Sequence, residues 1–167
     1  MKNILAPLFI VIVMMATFGG PINAQNKANK AEVAFAAFLA AVDSGQIALQ
    51  NGKPEAFKSV WSRGDDITLS GGFGGTVEKG WTAVSKRLDW VAVSFSKGKN
   101  TIERIVTNQN GSLGYVVQLE HISFVVPETG KTATRDYRVT MIFRRETAGW
   151  RIVHRQADSQ MTKQAPQ

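Results

Sequence analysis

Four strand-like stretches, joined by short turn motifs, fill the second half of the chain and restrict its fold more than any other feature. Thr101 to Thr107 is rich in β-branched residues, and Asn110-Gly111 separates it from Leu113 to Val126. Pro127-Glu128-Thr129-Gly130 leads into Thr132 to Arg145, and Glu146-Thr147-Ala148-Gly149 precedes Trp150 to Ser159. Asn-Gly supplies the positive φ values that a two-residue hairpin requires, so the order predicts a meander of long antiparallel strands. Asn110-Gly111-Ser112 also matches a glycosylation acceptor, but the turn accounts for it without modification.

The first half reads as helical. From Ala28 to Leu49 the chain is alanine-rich, with Phe35, Phe38, Leu39 and Val42 at helical spacing, and Asn51-Gly52 is a stop. Pro54 suits the first position of a short second helix through Trp61. Trp81, Val84, Leu88, Val91, Ala92 and Phe95 mark one face of a third, which Lys97-Gly98-Lys99 should end. Between them SGGFGGTVEKG lacks the lysine-hydroxyl pair of a phosphate-binding loop and is expected to be a hairpin or sharp bend. Helices first and strands after give an α+β fold class, three N-terminal helices packed against an antiparallel sheet.

The N-terminus is expected to be cleaved off after Ala24. MKN, the apolar run ILAPLFIVIVMMATF and the small residues ending at Ala24 have the three parts of a signal peptide. The run is short of the roughly 20 residues a membrane-spanning helix needs. This predicts a signal peptide over residues 1–24, a domain over 25–160 and a disordered tail over 161–167. The mature chain is then periplasmic or secreted, without a stable membrane anchor. The absence of cysteine rules out disulfides and thiolate metal sites. A net charge of +7 would be compatible with nucleic acid, but export argues against it.

Strand periodicity assigns faces. Tyr137, Val139, Met141 and Phe143 should share the face toward the helices, with Arg138, Thr140 and Arg144 outside. In the last strand Trp150, Ile152, His154, Gln156 and Asp158 should lie together inside, opposite Arg151, Val153, Arg155 and Ala157. Arg138, Arg144, Arg151 and Arg155 would then make a basic outer face. His121 lies in a strand whose alternation leaves its face open, and Glu120 reads as a lining residue or as the cross-strand partner of an arginine.

Three segments, FKSVWSRGDDITLSGGFGG, KGWTAVSKRL and YRVTMIFRRETAGWRIVHRQAD, resemble the SnoaL-like branch of the nuclear transport factor 2-like superfamily. The resemblance runs from the first helix to the end of the last strand. It implies a cone: a strongly curved antiparallel sheet wrapped around a long helix, with an apolar pocket and often a homodimer through the outer sheet face. Members include ketosteroid isomerases, dehydratases, cyclases and noncatalytic binding domains, so the fold does not select the activity. The isomerases' carboxylate position falls here on Ser70, Gly71 or Gly72, their tyrosine near Phe38 and their second acid near Met141. A steroid-isomerase proton shuttle is therefore not expected. Relatives with this ending often carry a second histidine where this chain has Gln156, which puts a shared metal or proton in doubt.

Within such a cone His154 is the candidate general base, with Asp65 at the rim as a second catalytic candidate. Trp61, Trp90, His121, Tyr137, Phe143, Gln156 and Asp158 are the candidate ligand-binding residues. No metal ligands and no cofactor are indicated. The leading expectation is an exported domain binding a small apolar or amphipathic molecule, as a homodimer. The alternatives are an isomerase, dehydratase or cyclase using His154, and a protein-interaction module using the outer sheet face.

Overall fold

The structure is a computed structural model and describes residues 20–159 and 161–163. Most of the predicted signal peptide and of the predicted tail lies outside the described residues. Helix α1 (Gly20–Leu49) is followed by the short α2 (Glu55–Ser59), β1 (Thr68–Ser70), β2 (Glu78–Lys79) and α3 (Gly80–Ser94). Four long strands complete the chain: β3 (Ser96–Asn110), β4 (Leu113–Val125), β5 (Thr132–Glu146) and β6 (Gly149–Asp158). They form a six-stranded sheet in the order β2-β1-β6-β5-β4-β3, antiparallel except where β1 runs parallel to β6. The glycine-rich segment is the β1–β2 hairpin expected for it, with Leu69 opposite Glu78.

By length and composition the Gln25–Leu49 part of α1 could cross a membrane. Its packing explains that composition otherwise, since Phe35, Leu39, Val42 and Leu49 are buried against the sheet. Each such side chain contributes roughly 1.5–3 kcal/mol when removed from water. Gly45 sits where α2 crosses, and a Cβ there would stand 3.0 Å from the Phe57 backbone. The glycine that weakens the helix in isolation thus permits the helix–helix contact.

Alternation in β4 is regular, with Val116, Gln118, Glu120, Ile122 and Phe124 inward and His121 outward. In β5 the inward set is Tyr137, Val139, Met141 and Phe143, as periodicity requires. Bulges interrupt the ladders between Ser96 and Lys99, between Arg104 and Val106, and in β6 opposite Ile142 and Phe143. An extra residue on one strand increases local twist and bend, which is how a flat meander becomes a strongly curved one. Lys97-Gly98-Lys99 therefore lies inside β3 rather than closing α3, and Lys97 takes φ 52° at the first bulge.

The bulge in β6 overturns the expected facing of the last strand. Phe143 pairs with Ile152 and Ile142 with His154, so Val153 is the extra residue. Trp150 and Ile152 point inward as expected, but beyond Val153 the inward residues are Arg155 and Ala157. His154, Gln156 and Asp158 belong to the other face. Uninterrupted alternation had assigned these two groups the reverse way.

One end of the curved sheet is filled by aromatic rings. Phe35 packs on Trp150 at 4.8 Å and on Phe143 at 5.7 Å between ring centroids, with Phe38 against Phe143. The other end, between the C-terminal part of α1, α3 and strands β4 to β6, is not filled.

Candidate functional site

At that unfilled end lies a cavity of about 70 Å3. Its apolar wall includes Leu49, Leu69, Leu88, Val91, Phe95 and Ile122, and Phe73 of the β1–β2 loop closes one side. The Phe73 ring meets Trp90 and Tyr137 edge-on and Phe95 at a tilt. Gly72 lies flat on Tyr137, and a Cβ there would come within 2.4 Å of the ring. Gly72 is thus required for close approach of the loop to the sheet, a role the sequence showed only as a bend.

The cavity floor is polar. Glu120, 0 % exposed, accepts from Gln118 Nε2 at Oε1 (2.7 Å) and from Arg155 Nη2 at Oε2 (2.7 Å). Gln46 Nε2 also donates to Glu120 Oε2. The network continues away from the cavity. Arg104 donates to Gln118 Oε1 (2.7 Å) and to Asp43 Oδ2 (2.6 Å). Burial pushes the Asp43 carboxyl above the usual carboxylate range, against the pull of Arg104.

Several buried atoms on the floor have no hydrogen-bond partner among the described residues. The Tyr137 hydroxyl, Arg155 Nε and the side-chain oxygens of Gln46 and Gln50 are all in this condition. Each belongs to a side chain lining the cavity. Buried polar groups are ordinarily paired, and leaving one unpaired costs roughly 1–3 kcal/mol. Four such atoms belong to residues around one hollow. Burial also pushes the Tyr137 phenol upward, so it remains a proton-bearing donor at neutral pH.

The residues singled out by sequence divide around this hollow. Tyr137 lines it. His154 does not: its Nδ1 is 2.7 Å from Thr68 Oγ1, its β1 neighbour, and partial burial lowers its pKa below the usual histidine value. Asp65 is exposed in the loop before β1, while adjacent Asp66 pairs with Arg144 (2.5 Å), which lowers its pKa. His121 lies on the outer face, 2.7 Å from Asp136. Gln156 is exposed, and Asp158 pairs with Arg138 at 2.6 Å. Trp61 and Phe143 are core residues that do not reach the cavity, and Trp90 is 46 % exposed behind Phe73.

Gln46, Gln50, Gln118 and Arg155 were not among the sequence candidates. Gln46 and Gln50 stand one helical turn apart, and Gln118 and Glu120 are in phase with Val116 and Ile122. Polar residues on an otherwise apolar stripe were the available signal. For Arg155 the bulge erased it.

A curved sheet around a helix, hollow at one end, defines the NTF2-like class of α+β folds, and solved structures agree. A candidate dehydratase of the NTF2-like family from Streptomyces avermitilis superimposes with a TM-score of 0.68 at 16% identity, covering 80% of this chain and 99% of that one. An NTF2-like superfamily protein from Salmonella enterica gives 0.65 at 16% identity, over 83% and 96%. An NTF2-like protein with a cystatin-like fold from Novosphingobium aromaticivorans gives 0.65 at 16% identity, over 88% and 93%. At such identities the likeness is one of fold. The family model for the SnoaL-like domain matches residues 34–161, and the chain belongs to that family. No curated protein matches the sequence.

Proposed function

We propose that this chain is a small-molecule-binding domain whose ligand occupies the cavity between α1, α3 and the sheet. The observation that carries this reading is the group of unpartnered buried polar atoms on the floor of an otherwise apolar hollow. Ligand sites combine these two features, a mostly apolar wall and a few convergent polar groups. The volume, about 70 Å3, favours a compact molecule over a steroid-sized one. Binding is favoured over proton abstraction because the carboxylate in the lining, Glu120, is already engaged by three donors. His154, the base expected from sequence, is bonded to Thr68 on the other face.

Ligand-observed NMR against small amphipathic molecules tests the reading, with Val91→Trp as a variant that fills the cavity. Saturation transfer to some of them, abolished in the variant, is the expected result. Identical spectra for both proteins would refute it.

Export through residues 1–24 and pairing of two copies belong to the same proposal. The mature protein recovered from periplasm or medium should begin at Gln25, and an intact Met1 would contradict export. Pairing is supported by the exposed apolar residues Val106, Leu113 and Tyr115 on the sheet's outer face.

A further inference from the structure

The charges around the cavity are unbalanced. Arg155 lines it and shares Glu120, the only carboxylate in the lining among the described residues. Arg87 also lines it, held by the Gly74 carbonyl (3.1 Å) and stacked over Trp90 at 4.5 Å. Arg135 stands 5.3 Å over the ring of Phe73, which closes the cavity. Among the described residues neither Arg87 nor Arg135 is within 4 Å of a carboxylate. Two guanidinium groups, those of Arg87 and Arg155, therefore line a hollow whose described lining holds one carboxylate, while the exposed Arg135 stands outside that lining.

The unpartnered donors have the same preference. Tyr137 is 5 % exposed and Arg155 8 %, and the Tyr137 O–H and Arg155 Nε–H have no acceptor among the described residues. Both side chains face the cavity from adjacent strands, β5 and β6. A guanidinium N–H and a phenol are donors suited to a carboxylate oxygen, and charge-assisted bonds of this kind are roughly twice as strong as neutral ones. The remaining orphans, the Gln46 and Gln50 oxygens, are acceptors. Gln46 is oriented by its donation to Glu120, so its oxygen suits a hydroxyl or amide donor on the ligand's body.

We propose that the cavity selects small organic monocarboxylates, with the anionic head on Tyr137 and Arg155 and the apolar body against Leu49, Leu88 and Val91. This rests on the binding function proposed above and specifies its ligand class. Glu120 serves as a positioning residue, since it holds Arg155 by one nitrogen and leaves Nε free for the ligand.

Calorimetric titration with isovalerate and its neutral isostere isovaleramide tests the proposal in the wild-type protein and in Tyr137→Phe. The variant removes a hydroxyl that has no partner in the free protein, so its melting temperature should equal or exceed that of the wild type. Isovalerate should bind at least tenfold more tightly than isovaleramide, and Tyr137→Phe should lose about tenfold or more of that affinity. A Glu120→Gln/Arg155→Gln double variant, which removes both charges together, should no longer discriminate between the probes. Equal binding of both probes to the wild type, or isovalerate affinity unchanged in both variants, would overturn the anion assignment while the binding function stands. If neither probe binds, the anion assignment fails, and the Val91→Trp comparison decides separately whether the cavity takes neutral molecules.

Discussion

Glu120 combines complete burial with a formal charge, and its three donors come from α1, β4 and β6. Removing a carboxylate from such a pair leaves an arginine buried without its counter-charge, whereas removing both charges is much less costly. Glu120→Leu should therefore destabilise the fold by about 3–5 kcal/mol in urea denaturation. The Glu120→Gln/Arg155→Gln double variant should lose considerably less. Equal losses would mean the ion pair is not coupled. His154 makes the opposite kind of contribution, because burial lowers its folded pKa below the ordinary 6.5. Its depressed pKa means the unfolded chain binds the proton more readily. The associated stability is fully present above about pH 6.5 and is lost as pH falls through the lower folded value. Urea midpoints between pH 7.5 and 5 should fall in the wild type and fall less steeply in His154→Gln. Parallel curves would assign the pH dependence to other groups.

Among the elements, β6 decides which residues reach the interior. Period two assigns Gln156 to the inside and Ala157 to the outside, and one extra residue at Val153 reverses both. The cysteine-free sequence allows a direct reading of this phase. Single cysteines at positions 156 and 157 should differ in reaction with a thiol reagent, Gln156→Cys labelling quickly and Ala157→Cys slowly. The reverse order would restore uninterrupted alternation and place His154 inside. The β1–β2 loop is the other sensitive element. Gly72→Ala would drive a methyl group into Tyr137, with a cost of roughly 1–3 kcal/mol. It should also weaken binding of any cavity ligand more than Gly75→Ala, which strains the backbone at φ +94° but whose Cβ meets nothing within 4 Å. Equal effects would show that Gly72 matters only for loop conformation.

The same elements show what the sequence made legible. The meander of the four long strands, the turns at Asn110-Gly111 and Gly130, and the inward set Tyr137, Val139, Met141 and Phe143 follow from periodicity and turn chemistry, which are local. The site depends on features that are not local. A bulge has no reliable signature in a single strand, because it is a property of the pairing, and without it Arg155 and His154 exchange roles. Gln46 and Glu120 are 74 positions apart, and neither is exceptional until α1 is laid across β4.

For the whole molecule, the inner and outer faces of the sheet differ in what covers them. The inner face is occupied by α1, α3 and the cavity, while Leu113 (56 % exposed) and Tyr115 leave apolar surface on the outer one. If two copies pair there, sedimentation equilibrium should give a dimer for the wild type and a monomer for Leu113→Lys/Tyr115→Lys. A wild-type monomer would remove pairing from the account. Ligand binding should survive the same double substitution, because the cavity lies on the other side of the sheet.

If small molecules enter this protein between α1, α3 and the sheet, methyl chemical shifts should report their entry. On titration with isovalerate or a neutral amphipathic probe, the methyl signals of Leu49, Leu69, Leu88, Val91 and Ile122 should move together with one binding isotherm. Those of Val106 and Leu113 on the outer face should stay in place. Shifts confined to the outer face, or none at any concentration, would contradict a ligand-binding interior.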